Sequence, residues 1–133
     1  MTIEEIKEKL NRDDRFCRYN EMRIDVIRPG YAEAVMEITE NKLNGLGIAQ
    51  GGAIFTLADL AFAGASNAAG FRTVAFTSNI SFIRPGTGRR LRAVATEVSR
   101  GRRTGVYSVQ VFNDDGKVVA HGTTTGFISE EKL

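Results

Sequence analysis

The chain has a single cysteine, a single histidine and a net charge of only +2 in its 133 residues. With Cys17 alone, no internal disulfide can form, and the expected setting is a reducing compartment, the cytoplasm. With His121 alone, one chain cannot build a histidine metal cluster or a histidine dyad, so no metal centre or cofactor is expected. Cys17 has no histidine near it in sequence to generate a thiolate, and His121 lies beside Gly122 in a β-rich stretch as an exposed strand residue. No G-x-S-x-G occurs, which leaves serine hydrolase chemistry of that kind unsupported. The small net charge does not point to nucleic acid, and aromatics are not interleaved with the basic residues. The opening MTIEEIKEKL has mixed charge and no apolar centre, unlike a signal peptide. The one long apolar run, Ala53–Ala69, is shorter than the ~20 residues of a membrane span and carries Asp59, Ser66 and Asn67. No repeat or linker divides the chain. The expectation is a single soluble domain over residues 1–133, with a helical segment in residues 1–20.

What the chain does have is the stretch from Asn41 to Asn67, NKLNGLGIAQGGAIFTLADLAFAGASN. It begins glycine-rich and polar, passes through Gly51-Gly52 and becomes a helix that is apolar on nearly every face, the pattern of a helix buried in a core. Asp59 is its one ionisable side chain. A carboxylate there is costly unless it is hydrogen-bonded or has a task, and partial desolvation makes it a better base. The glycine-rich entry leaves backbone N–H groups free at the helix N-terminus. A buried acid near amide donors is a catalytic pairing in outline.

Around this helix the periodicities predict one short amphipathic helix over Ile3–Leu10, opened by a Thr2/Glu5 capping box. Strands are predicted at Met22–Ile27 and Tyr31–Ile38, joined through Pro29-Gly30. After the long helix, strands follow at Thr73–Ile83, Leu91–Val98, Gly105–Phe112 and Lys117–Ile128, with Asp114-Asp115-Gly116 as the hairpin between the last two. A helix this apolar has to be covered, so an α+β fold with the helix against a curved antiparallel sheet is expected.

Asn44-Gly45-Leu46-Gly47, Gln50-Gly51-Gly52, Leu57-Ala58-Asp59-Leu60-Ala61, Asn79–Gly86 (NISFIRPG) and Gly101–Tyr107 (GRRTGVY) occur in the order found in one family. On these motifs, spread from about Tyr31 to Phe127, the chain resembles the hotdog-fold thioesterases, most closely their phenylacetate-degradation branch. The resemblance implies a long central helix wrapped by an antiparallel sheet, subunits pairing sheet to sheet, and acyl-CoA hydrolysis at the dimer interface, with dimers assembling to a homotetramer. It implies Asp59 as nucleophile or general base. It also implies an aryl or medium-size acyl group, for which Phe62, Phe76 and Phe82 are candidate contacts unless they are simply core. One position departs from the family: relatives usually have histidine where this chain has Gln50. Glutamine donates and accepts hydrogen bonds but does not take up a proton near neutral pH.

The residues then sort as follows. Asp59 carries the chemistry; its alternative is a buried aspartate satisfied by helix-end amides or hydroxyls. Gly51 and Gly52 let a thioester oxygen approach backbone N–H groups at the positive end of the helix dipole, or they simply make a tight turn. Their spacing from Gly45 and Gly47 misses a dinucleotide loop. Asn44 orients water or the carbonyl, or caps its own loop. Gln50 braces the thioester, or caps its own loop in the same way. Ser66 and Asn67 pack or cap the helix end. Seven arginines lie between Arg84 and Arg103 against the single acid Glu97, and they suit CoA phosphates. The resemblance points to Arg84 and to the loop Arg100–Thr104, with Arg102, Arg103 and Thr104 as its contacts, while other arginines line a solvated strand face. The competing functions are a non-catalytic acyl-CoA binding or sensing module, motivated by Gln50, and a hotdog dehydratase, for which His121 is poorly placed.

Overall fold

The fold is built on one long helix, and the computed structural model describes it over all of residues 1–133. Helix α1 spans Ile3–Asp13, opened by the reciprocal box in which the Glu5 N–H donates to Thr2 Oγ1 (3.1 Å) and the Thr2 N–H to Glu5 Oε1 (2.8 Å). A second short helix, α2 at Arg15–Tyr19, follows at once. Its N-cap is Asp14, whose carboxylate accepts the Cys17 N–H at 3.0 Å. Strands β1 (Met22–Arg28) and β2 (Tyr31–Glu37) form a hairpin through Gly30 at φ 77°, a conformation glycine adopts at no steric cost. A 3₁₀ turn at Glu40–Lys42 leads to α3, Gly51–Asn67. Strands β3 (Phe71–Phe82), β4 (Arg90–Arg100), β5 (Thr104–Phe112) and β6 (Val118–Lys132) complete the chain. The observed β6 runs past the predicted end at Ile128 because Lys132 still pairs with Phe71.

All strands join one antiparallel sheet in the order β1-β2-β4-β5-β6-β3, so β1 and β3 are its free edges. Register shifts at Ile24/Val26, Glu97/Ser99 and Ala75/Thr77 bend the strands, which lets the sheet curl around α3. The concave face is lined by Ala32, Ala34 and Met36, by Leu91, Ala93 and Ala95, and by Tyr107, Val109 and Val111, all buried. These rows meet Leu57, Ala61 and Ala65 of α3 in one core. Small residues on both sides allow close approach: a Cβ on Gly64 would come within 2.8 Å of Ala32. Phe62 fills the space under Gly126 and stands edge-on to Tyr107, with ring centroids 5.3 Å apart.

The C-terminal end of α3 is tied to the sheet by side chains. Asn67 Nδ2 donates to Ala63 O (2.9 Å) and Thr73 O (3.2 Å), while its Oδ1 accepts the Thr73 N–H (2.9 Å). Arg100 donates to Ser66 O (3.3 Å) and to the Tyr107 hydroxyl (3.0 Å), which donates on to Glu97 at 3.2 Å. Ser66 is buried, so the expected packing and capping roles of Ser66 and Asn67 are what the structure shows.

In one respect the helix differs from expectation. Ten of the seventeen residues of α3 are buried, but a strip containing Gly52 and Asp59 is exposed, flanked by half-buried Phe55, Thr56 and Ala63. The sheet covers one side and α2 with β1 a flank, and nothing in the same chain covers the rest. Phe62 is the most consequential core contact of the helix. Its replacement by alanine is expected to cost about 3–5 kcal/mol through the cavity it leaves, read as a lower urea midpoint at unchanged slope.

Candidate active site

The loop before α3 is self-organised around Asn44. Its Oδ1 accepts the N–H groups of Leu46 (2.8 Å) and Ile48 (3.3 Å), and its backbone pairs with Ile48 and Gly47. The loop-capping reading of Asn44 therefore holds for the carbonyl half of the amide. The NH₂ half has no partner in the chain, and Asn44 lines a cleft of about 390 Å³ together with Gly51, Ile54, Phe82 and Arg84. Three of the residues singled out from sequence, Asn44, Gly51 and Arg84, thus share one cavity.

The helix entry itself is held by two contacts. The Gln50 N–H donates to Lys42 O at 2.7 Å, and the Gln50 carbonyl accepts the Ala53 and Ile54 N–H groups as the first bonds of α3. The Gln50 side chain is the N-cap, its Oε1 taking the Gly52 N–H. This changes the expected arrangement. Gly51 and Gly52 do not both present free donors, because Gly52 is capped by the preceding glutamine and only the Gly51 N–H is left without a protein partner. The Gly51 Cα faces the Phe82 ring across the cleft, where a Cβ would sit 3.4 Å away in ordinary contact.

Asp59 stands two turns further along, on the exposed strip and not in the buried interior expected from the apolar sequence around it. Its surroundings still matter. Crowding by neighbouring atoms raises its carboxyl above the ordinary value, and the charge of Asp14 adds to the effect. It makes no hydrogen bond or ion pair within the chain, so its basicity is not quenched by a partner. Cys17, the buried residue of α2, is pushed up to about 12 by desolvation first and Asp14 next, which keeps it a thiol.

The arginines divide. Arg84 reaches the Val118 carbonyl from the rim of the cleft. Neighbouring strands supply acids that the linear sequence hides: Arg90 pairs with Glu37 (2.6 Å), Arg92 with Glu33 (3.1 Å) and Arg103 with Glu130 (2.8 Å). Arg100 is taken up by Tyr107 and Ser66, so Arg102 and Arg89 are left with uncommitted guanidinium groups. The chain does not bring Arg102, Arg103 and Thr104 to the cleft. Thr104 pairs with Phe127 and Phe127 with Val74, whereas Arg84 follows Phe82. The eight residues from Val74 to Phe82 separate the two by roughly 26 Å along β3. His121 is exposed, opposite Gln110 and Ser81 on the outer face of the sheet.

Sequence reasoning placed residues 1–20 in a helical segment without resolving α2 as a helix of its own, and it missed one buried ion pair. Lys42 is buried, with its Nζ 2.6 Å from Glu21 Oε1 and 2.9 Å from Thr39 Oγ1. Glu21 is the one non-glycine residue with positive φ, 59°. The Asp14 N-cap before Arg15 was the available signal for α2, whereas nothing in the local sequence pairs Glu21 with Lys42.

One helix packed into a curved six-stranded antiparallel sheet is the hotdog arrangement. The sequence profile of the thioesterase superfamily matches residues 46–120. The acyl-coenzyme A thioesterase PaaI of Escherichia coli K12 is 42% identical over 100 residues, covering 73% of this chain and 71% of that protein. The solved structure of the E. coli PaaI protein from the phenylacetic acid degradation operon superposes with a TM-score of 0.93 at 30% identity, covering 98% of this chain and 95% of that one. The Streptococcus mutans protein smu.793, solved bound to acetyl CoA, gives 0.80 at 29% identity over 86% of this chain and 94% of that one. The chain belongs to the thioesterase superfamily and is an enzyme of the thioester hydrolase class.

Because the native Asp59 carboxyl titrates above its ordinary 3.8, the folded state holds its proton longer than the unfolded state does. Its ionisation therefore opposes folding: stability falls as pH rises from about 3.8 through the raised native value. Asp59→Asn is expected to be at least as stable as the parent at pH 7, with any gain vanishing below about pH 3.8 in paired thermal melts.

Proposed function

We propose that this enzyme hydrolyses acyl-CoA thioesters, with the carbonyl oxygen held by the Gly51 N–H at the N-terminus of α3 and Asp59 supplying the base or nucleophile. The observation that carries the reading is the unpartnered Gly51 donor opening into the cleft that Asn44 and Arg84 share. A backbone N–H at a helix N-terminus stabilises the negative charge that develops on a thioester oxygen. With Asp59 as base, a water oxygen bonds to the carbonyl carbon while the carboxylate takes its proton. The C–S bond then breaks, and the thiolate receives that proton to leave as CoA, with the free acid as the other product. With Asp59 as nucleophile, a carboxylate oxygen bonds to the carbonyl carbon as the C–S bond breaks and CoA leaves as thiolate. Water then cleaves the mixed anhydride to the free acid and a protonated Asp59, whose proton passes to the thiolate. The free NH₂ of Asn44 is placed to orient the water or the carbonyl. Arg84 at the rim suits a phosphate of CoA, and the acetyl CoA bound to the S. mutans relative supports that class of ligand. No cofactor is required, since water is the only co-reactant.

Helix geometry adds a requirement. Gly51 and Asp59 are eight residues apart, roughly 12 Å along the axis. Attack needs about 3–3.5 Å between reacting atoms. A carbonyl held at Gly51 is therefore out of reach of Asp59 from the same chain. A second copy supplies it if the exposed strips of two α3 helices lie antiparallel, which also covers the face each chain leaves open. The free edge of β3, with Val74, Phe76 and Phe82 exposed, is the natural seam. Antiparallel pairing of two β3 strands sets the Phe71 end of one beside the Phe82 end of the other. That carries the partner's Arg102, Arg103 and Thr104 to the end of the sheet where Arg84 lies. A homodimer, assembling further to a tetramer in the cytoplasm, is the form proposed. A second reading, a non-catalytic acyl-CoA binding module, draws on the Gln50 cap over Gly52.

Free-thiol release from acetyl-, octanoyl- and phenylacetyl-CoA tests both readings. Asp59→Asn is expected to abolish release. Gly51→Pro removes one N–H at a helix position that tolerates proline, and Gln50 already has the extended backbone that a following proline requires. It is expected to lower kcat by about 10²–10³. Hybrid dimers of the two variants contain one intact composite site, so mixed subunits should recover about half of the wild-type rate per hybrid. Absence of recovery would place both residues in one subunit's site, and binding without release by the wild type would favour the module.

A further inference from the structure

The ammonium of Lys42 has no part in the mechanism above, and its burial is unfavourable on its own account. The Lys42 side chain is 1% accessible, and a charge taken out of water costs free energy that an uncharged chain of the same length would not. Its partner is unfavourably placed too. Glu21 follows the Asn20 C-cap of α2 with φ 59°, a left-handed position where glycine or asparagine is usual. One contact accounts for both choices: Lys42 Nζ lies 2.6 Å from Glu21 Oε1, with Thr39 Oγ1 as a second acceptor at 2.9 Å. Glu21 immediately precedes Met22, the first residue of β1, so the pair fastens the 3₁₀ turn at Glu40–Lys42 to the edge of the sheet.

What this contact reaches is the entry of α3. The carbonyl of Lys42 accepts the Gln50 N–H at 2.7 Å. The Leu43–Ala49 bridge and the bond from the Asn44 N–H to Ile48 O (2.8 Å) continue that pairing, so Lys42 and Gln50 stand opposite each other at the base of the loop. Gln50 in turn caps Gly52 and leaves the Gly51 N–H as the free donor. A shift of residue 42 therefore passes through one backbone hydrogen bond to the residue immediately before Gly51. Neither Glu21 nor Lys42 lines the cleft shared by Asn44, Gly51 and Arg84, so neither touches a carbonyl held there. We infer that Glu21 is a positioning residue of this enzyme: by pairing the buried Lys42 ammonium it seats residue 42, and through the Lys42–Gln50 bond it aims the Gly51 N–H. The assignment rests on the thioesterase reading above. Without the Glu21 carboxylate the ammonium is buried unpaired, and it gains by moving to water and taking the turn with it. The Glu21 carboxyl is held below its ordinary value, first by the hydrogen bond from Lys42 and then by the Lys42 charge, so the carboxylate form faces Lys42 at neutral pH.

The test is a double-mutant cycle of Glu21→Ala and Lys42→Met, in which methionine keeps an apolar stem and removes the ammonium that needs a partner. Each protein gives two readouts: kcat and KM for thiol release from whichever of acetyl-, octanoyl- and phenylacetyl-CoA the wild type cleaves fastest, and the exchange rate of the Gln50 amide proton by NMR. Glu21→Ala is expected to lower kcat about tenfold or more while KM stays within about twofold, because a small misplacement of a reacting contact costs that much. Its Gln50 amide should exchange roughly tenfold faster. Lys42→Met and the double variant should stay within about threefold of wild type in both readouts, since a buried pair exchanged for apolar groups leaves no unpaired charge. Glu21→Gln keeps an acceptor for Lys42 without the charge; it falls between, and it takes the place of Glu21→Ala if that variant does not melt cooperatively. An ion pair that only stabilises the fold would lower the melting temperature of Glu21→Ala and leave kcat unchanged, which overturns the assignment. So would a double variant as slow as Glu21→Ala, a KM that rises in step with the fall in kcat, or a fall in kcat with Gln50 exchange unaltered. Absence of thiol release by the wild type overturns the thioesterase reading instead, while the exchange series still judges the clamp.

Discussion

Everything in this fold depends on covering α3. A helix whose residues are apolar on most of its circumference is stable in water only where other elements remove that surface, and about 25 cal/mol per Å² of buried apolar area sets the scale. The concave rows of β2, β4 and β5 do this, at closest range where the alanines of β2 and β4 meet small residues of the helix. The helix is also pinned at both ends: Asn67 and Arg100 bind its C-terminus to the sheet, and Lys42 O receives the N–H of its N-cap. Rigid ends matter for the proposed site because its carbonyl donor belongs to the backbone of the first turn. A backbone donor is only as well aimed as the helix that carries it.

Much of this was legible in the sequence, for identifiable reasons. The helix, the strands after Phe71 and the turns at Gly30 and Gly116 carry strong local signals of periodicity and backbone preference, and they fold as read. The placement of Asp59 was not legible. Flanking apolar residues gave every indication of burial, yet burial depends on which side of the helix the sheet reaches, a tertiary property. The arginine excess misled in a similar way. Glu33, Glu37 and Glu130 lie far from Arg92, Arg90 and Arg103 in sequence but beside them across strands or at the β4–β5 turn, so three of the seven cations are paired within the chain. Short α2 fell inside the expected helical segment of residues 1–20 but was not legible as a separate helix, because five residues are too few to show a helical period and only the Asp14 cap marks its start.

Gln50 links the departure from the family pattern to the geometry. As N-cap it accepts the Gly52 N–H, a task its side chain performs without any proton of its own to exchange. A histidine at this position would add a group that titrates near neutrality; glutamine adds none. His121 lies on the outer face of the sheet and Cys17 is held as a buried thiol. On the proposed reading, proton transfer then falls to one carboxylate, Asp59 of the facing copy, whose surroundings raise its affinity for a proton. Raised basicity and an exposed position are compatible here because the strip is apolar: the carboxylate stands among phenylalanine, alanine and threonine neighbours with no cation to stabilise its charge.

The same strip ties stability to function. An exposed apolar band on a helix costs free energy in an isolated chain, and an unpaired carboxylate in its middle makes closing that band over it more expensive still. A structure that keeps both has to recover the cost when the band is covered. In the proposed dimer, two copies meeting antiparallel bury the band and set the acid of one helix opposite the free amide of the other. The carboxylate then exchanges bulk water for a substrate carbonyl and a single trapped water. The residue that penalises association in the empty site is, on this geometry, the one that acts on the substrate once it is bound.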